Sequence, residues 1–467
     1  MMGDGLARYH ALTELLGQHR IPETAYSMIG PLFAAPLWWV GRVTGDPQGW
    51  VGYYNSILFG LTIVALYLTM RRHVEPGLLR RFLLLLVAGG MAAPHLVDFY
   101  GEMFTVSTVG VGLLVLARRD APPAARPVAW TAIVLGVANT PAALLALMIV
   151  AGIEAVRRRR LTPLASVLAA SGLIVGESWL RRGSPFATGY ADNHGVETFM
   201  PYSGLAGFSY PMLLGVAAIV FSFGKGLLWF TPALFLPVRG RLGAPFRAGP
   251  GIDLGYAWLL WVSFTGGLII VYGKWWAWYG GMYWGPRFFL IAILPAALGL
   301  AALLGDPTAG RRSSTTACAT LTLSVWVAAD AMAFGELWPG ICYQDGYRLE
   351  ALCLFTPEFS ALWYPFVARP DLSGTQLGQL ALHALVLGWL GVPAVARLAR
   401  DARIAARRDA GWRIQRDGSG PMAANQRDGT QAYSERTAGD PSGSPAAVPT
   451  RVSAGRTPSA AACRGRP

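Results

Sequence analysis

"RPVAWTAIVLGVANTPAALLALMIVAGIEAVRRRR", residues 126 to 160, decides how the chain is threaded. As one helix it would be long enough to cross a bilayer, and its two Arg-bearing ends would face opposite sides. Basic residues beside apolar runs collect on the cytoplasmic side, so two basic ends argue against a single crossing. The step Asn139-Thr140-Pro141 offers another path, because Pro disfavours helix in the residue before it. Two short helices meeting there keep both ends on one side. A break at that depth is tolerated where it lines protein or a cavity, not lipid.

The same reasoning runs outward. Basic clusters recur at 71–81, 118–126, 157–160, 239–247, 311–312 and from 397 onward. Between them lie apolar runs at 50–70, 82–98, 104–117, 162–180, 223–238, 254–272, 288–304, 316–333 and 376–397. With the two short helices, this gives about eleven transmembrane segments. Counting 205–222 as a further crossing would put Arg239 and Arg241 outside, so it is read as a helix lying on the outer surface. The expected fold is an all-α polytopic membrane protein whose outer-face loops carry short interfacial helices. Residues 1–26 hold no apolar run able to start insertion. One more N-terminal helix is therefore expected ahead of Met1-Met2-Gly3.

Composition agrees. Of 467 residues, 53% are hydrophobic and only 14% charged, with a mean hydropathy of +0.40. A soluble domain needs more charge to cover its surface. The net charge of +13 does not imply nucleic acid. From Arg397 to the end, 13 Arg against 6 acids supply +7 of it, and the remaining cations sit in short clusters between apolar runs. Residues 1–400 read as one integral membrane domain. Residues 401–467, rich in Arg, Ala, Gly, Ser and Pro, read as a disordered cytoplasmic tail.

The unusual segments all fall on the expected outer face: 1–49, 98–103, the break at Asn139, 181–222, 272–288 and 334–375. Any catalysis belongs there. Two acids stand out. Asp4, in "GDGLARYHALTELL", is placed either to cap a helix or to act as a base. Glu102 follows Asp98 in "PHLVDFYGEMF" at a helix junction, where a carboxylate is costly unless solvated or paired. Brought together, Asp4 and Glu102 would supply a general base and ligands for a divalent metal ion.

Three cations complement them. Lys225 and Lys274 are the only lysines in the chain. Lys225, in "FSFGKGLLWF", lacks the spacing of a phosphate-binding P-loop. Lys274 and Arg287 bracket "YGKWWAWYGGMYWGPRFF", residues 272–289, with nine aromatic rings in eighteen positions. Arg287 at a helix end would either snorkel or hold a phosphate in bidentate fashion. An interfacial belt accounts for part of the ring density. Trp276, Tyr279 and Trp284 are read as a wall for a lipid chain or a sugar. Cys342 and Cys353, in one polar loop with no CxxC and no nearby His, fit a disulfide in an oxidising compartment. His194 reads as an incidental loop residue.

These pieces together resemble the multi-spanning GT-C glycosyltransferases of bacteria, relatives of the polyprenyl-phosphate-mannose protein mannosyltransferases and the aminoarabinose lipid A transferases. The resemblance rests on "GDGLARY", "DFYGEMF", "FSFGKGLLWFTPALFL" and "WYGGMYWGPRFFLIAILP", and covers most of residues 1–400. It implies a sugar donor carried on polyprenyl phosphate, an acceptor in the cell envelope and an active site facing away from the cytoplasm. It implies further that Asp4 is the base and that Arg287 and Lys225 meet the donor phosphate. The first loop lacks the adjacent pair of acids usual in that family. Two other readings remain at this point: a flippase of lipid-linked sugars, and a scaffold without catalysis.

Overall fold

The computed structural model describes residues 1, 3–190, 193–243, 251–281, 283–335, 337 and 339–417. Glu336 of the outer loop and residues 418–467 of the tail, Cys463 included, lie outside the described residues. The chain divides into a unit of Met1–Ile404 and a second of Ala405–Pro467. The first is all-α. Among the described residues it contains no strand, only two isolated bridges, Arg118 with Ile252 and His194 with Ala206.

Among the described residues, six helical segments are long and apolar enough to cross a membrane: Pro47–Met70, Thr162–Arg182, Leu254–Tyr272, Arg287–Gly305, Arg311–Phe334 and Gly374–Arg407. The principal helices are α1 (Gly3–Gln18), α2 (Tyr54–Met70), α3 (Pro76–Ala88), α4 (Glu102–Leu116), α5 (Ala125–Asn139), α6 (Leu144–Arg158), α7 (Ala165–Arg182), α8 (Met212–Phe221), α9 (Leu254–Tyr272), α10 (Ile293–Gly305), α11 (Arg311–Phe334), α12 (Glu350–Phe355) and α13 (Gly374–Asp417). Helix α10 is the centre: 89% of the apolar window in Arg287–Gly305 is buried, against 22% in Thr162–Arg182 and Gly374–Arg407. Around it α3, α9 and α11 pack, while α4 pairs with α5 and α9 with α6.

Packing follows small residues and rings. A Cβ on Gly267 would lie 2.4 Å from the Cα of Ala146, so the glycine lets α9 and α6 touch at the backbone. Trp261 stacks on Phe82 and donates its indole N–H to the carbonyl of Gly110, 3.0 Å away. A buried indole needs such a partner, and this one ties α9 to α4.

The break between α5 and α6 is where Pro141 placed it. α5 ends at Asn139, Thr140 leaves the helical region, and a 3-10 turn at Pro141–Ala143 leads into α6. Asn139 fills the gap. Its Oδ1 accepts from the Gly30 N–H at 3.1 Å, and its Nδ2 donates to the Gly101 carbonyl at 2.8 Å. The break thus lines protein, as a membrane-depth break must.

Two expected spans are not continuous helices. The run 82–98 stops at Ala88, where Gly89 and Gly90 end α3 and only a 3-10 turn, Ala93–His95, follows. The run 223–238 holds a four-residue helix, Leu227–Phe230, and a 3-10 turn, Pro232–Phe235, because Gly224, Gly226 and Pro232 interrupt it. The run 205–222 contains α8, ten residues long. The last helix continues to Asp417, so residues 401–417, read as the start of a disordered tail, are helical.

Candidate functional site

The first helix starts at Gly3, whose φ of +51° suits glycine, and Asp4 occupies its first turn. Its carboxylate turns away from its own helix. Oδ2 accepts from Nη2 of Arg287 at 2.5 Å, and Oδ1 accepts from the Tyr26 hydroxyl at 2.6 Å. The Tyr283 hydroxyl lies 3.4 Å from the same Oδ1 and accepts the Asp4 backbone N–H at 3.2 Å. Burial pushes the Asp4 carboxyl up. The charge of Arg287, the bonds from Tyr26 and Arg287, and the charge of Arg8 outweigh that and hold it below the usual carboxylate range. Burial and the Asp4 partner push the Tyr26 hydroxyl up, so it stays a proton donor.

Arg287 is the hub. Its side chain is 7% exposed. Nε donates to the Gly280 carbonyl at 2.8 Å and lies 3.8 Å from Oε1 of Glu102. The guanidinium sits over the Tyr283 ring at 4.2 Å and the Tyr100 ring at 5.2 Å. Glu102 opens α4, where the helix dipole favours an acid. Its Oε2 is buried without a hydrogen-bond partner. Asp4, Glu102 and Arg287, far apart in sequence, therefore form one ionic cluster. Asp98 lies beside it, with Oδ1 accepting the Phe99 N–H at 2.7 Å, and Gly5 is small enough to pack on that carboxylate.

The residues that hold this cluster carry no motif. Arg8 stacks on Tyr26 at 4.6 Å and fits against Gly101, where a Cβ would come within 2.9 Å of Nη1. The end of α7 grips residues 22–28. Arg181 donates to the carbonyls of Pro22, Thr24 and Tyr26, and Arg182 to those of Thr24 and Ala25. Glu177 accepts from the Ser27 hydroxyl and the Met28 N–H, both at 2.7 Å. Tyr26 thus reaches Asp4 from a segment whose backbone is fixed at both ends.

Lys225 acts from beneath. Its buried ammonium donates to the carbonyls of Gly281, Tyr283 and Gly285. Three glycines of this loop, at 280, 281 and 285, take positive φ, which lets the backbone curl around that charge. Lys225 therefore shapes the loop that presents Tyr283 and Arg287. Lys274 is exposed and apart from the cluster.

The three rings expected to form a wall divide. Trp284 is buried against Phe230 and donates to Oδ2 of Asp330 at 3.0 Å, on the core side. Trp276 and Tyr279 line a separate cleft, facing Tyr202, Tyr210 and Glu350. Cys342 and Cys353 are joined by a disulfide whose second half lies in α12. His194 is exposed, and its ring Nδ1 lies 3.0 Å from the neighbouring Gly195 carbonyl.

A divalent metal does not suit this donor set. Arg287 lies between the two candidate ligands Asp4 and Glu102, and a guanidinium repels a second cation there. Among the described residues, no group of three or more His, Cys, Asp or Glu comes together to hold an ion. What the cluster can do is hold an ionised base, keep an arginine ready for an anion and surround both with rings. No family model matches the chain, and no curated protein or solved structure matches it.

Proposed function

We propose that the chain is a membrane glycosyltransferase that moves a sugar from a polyprenyl-phosphate carrier to a hydroxyl of an envelope acceptor. The observation that supports it is Arg287 paired with both Asp4 and Glu102 at the end of an apolar helix. A phosphate is the ligand that competes best with carboxylates for a guanidinium. In this reading the donor phosphate takes Arg287 and frees Asp4. The acceptor oxygen then bonds the anomeric carbon and gives its proton to the Asp4 carboxylate. The carbon–phosphate oxygen bond breaks, and its electron pair leaves on the phosphate, held by Arg287. Tyr26 orients Asp4. Lys225 contributes by shaping the loop rather than by touching phosphate.

The topology that goes with this reading has about eleven crossings, counting the two short helices beside Asn139 and the interrupted apolar runs. The cluster faces the extracytoplasmic side of a bacterial plasma membrane and the Arg-rich tail faces the cytoplasm.

The test is transfer of a labelled sugar from polyprenyl phosphate by protein purified in lipid. Asp4→Asn is expected to lower the rate about a hundredfold or more while the chain still inserts and stays folded at the assay temperature. Full transfer by this variant would remove Asp4 as the base.

A further inference from the structure

The cleft behind the aromatic loop plays no part in the transfer chemistry above. Six rings line it: Tyr202, Tyr210, Trp276, Trp278, Tyr279 and Phe355. Each is turned against the next. Tyr202 meets Tyr210 at 6.0 Å and 61°, and Tyr210 meets Trp278 at 6.4 Å and 59°. Trp278 meets Tyr279 at 5.6 Å and 82°, and Tyr279 meets Trp276 at 6.4 Å and 73°. Rings tilted in this succession build a box, not a flat stacking platform.

One wall of the box is acidic. Glu350, 8% exposed, lines the cleft, and its Oε2 accepts from the Tyr279 hydroxyl at 3.1 Å. Burial pushes the Glu350 carboxyl up, and the Tyr279 bond and the charge of Lys225 pull against that, while Lys225 donates to the carbonyls of the neighbouring loop. Among the described residues, no Arg or Lys lies over any of the six rings.

Aromatic faces are negative, and a carboxylate beside them adds to the field. Such a box favours a compact cation with an apolar skin. A sugar would need several hydroxyl partners. Of the cleft's hydroxyls, that of Ser203 is already bonded to the carbonyls of Thr198 and Met200, and that of Tyr279 to Glu350. We propose that the cleft binds the ammonium group of an organic amine, carried either by a lipid headgroup or by a soluble molecule. The site is independent of glycosyl transfer, and its test requires no turnover.

The experiment uses the full chain in nanodiscs of phosphatidylglycerol, which carries no ammonium group. Choline is the probe, followed by saturation-transfer NMR on its methyl protons, with uncharged dimethylbutanol as its carbon isostere. Choline is expected to bind, and the isostere at least about tenfold more weakly. Glu350→Gln, which keeps an acceptor for Tyr279, and Trp276→Ala each weaken choline about tenfold or more, whereas Trp276→Phe retains part of the binding. If nanodiscs containing phosphatidylethanolamine displace choline, the headgroup is the source; if they do not, a soluble amine is. Equal binding of choline and the isostere, or unchanged choline binding in both Glu350→Gln and Trp276→Ala, overturns the proposal.

Discussion

Arg287 donates to Asp4 across 283 residues of sequence, at 2.5 Å, and joins the first turn of the chain to the aromatic loop. The guanidinium also faces Glu102, so one cation serves two acids. Removing one member of a buried ion pair leaves the other uncompensated. Arg287→Ala is therefore expected to lower stability by about 3–5 kcal/mol. Thermal unfolding in lipid measures it. Asp4→Asn in the Arg287→Ala background should cost less than it does alone, because the pair is already gone.

The pair also sets a pH dependence. The Asp4 carboxyl is held below its unfolded value, so its contribution is fully present above about pH 4. It is lost as pH falls through the folded value. The unfolding midpoint of the wild type is expected to drop more steeply below about pH 4 than that of Asp4→Asn. Parallel acid limbs for the two proteins contradict this assignment.

Lys225→Met removes the charge under the loop while keeping an apolar stem. Three carbonyls lose their donor, at roughly 1.5–3 kcal/mol for a hydrogen bond to a charged group. Backbone amides of 280–287 should exchange at least about tenfold faster in hydrogen–deuterium exchange, with the rest of α9 and α10 unchanged. Equal protection in variant and wild type shows that the loop holds its shape without Lys225.

Asn139→Ala probes the break between α5 and α6. The Gly30 N–H would be left buried without its partner, and the Gly101 carbonyl would keep only the longer bond from the Thr105 N–H, at 3.4 Å. The expected loss is roughly 1–3 kcal/mol, read from thermal unfolding. Asn139→Asp keeps the acceptor for Gly30 but not the donor for Gly101, and should lie at least as low.

Much of this was legible in the sequence, for physical reasons that differ by residue. Pro141 marks its own break because its ring forbids the continuing helix. Asp4, Glu102 and Arg287 could be singled out because isolated charges beside apolar runs need a reason to be there. That the runs 82–98 and 223–238 are not continuous helices could not be read, because hydropathy counts apolar residues whether or not the backbone between them stays helical. Gly89, Gly90, Gly226 and Pro232 decided those cases. Tyr26, Tyr283 and Arg8 were missed altogether. A tyrosine in a loop says nothing of the carboxylate it will meet, and the grip of Glu177, Arg181 and Arg182 on residues 22–28 arises only from folding.

The clamp at the end of α7 has a consequence for how the protein is made. The clamp on the segment carrying Tyr26 forms only after residue 182 has been synthesised, and the ion pair of Asp4 only after residue 287 follows. Residues 4 and 22–28 thus reach their final places only after much of the chain behind them has followed. A chain halted before the aromatic loop would keep two acids, Asp4 and Glu102, without their arginine.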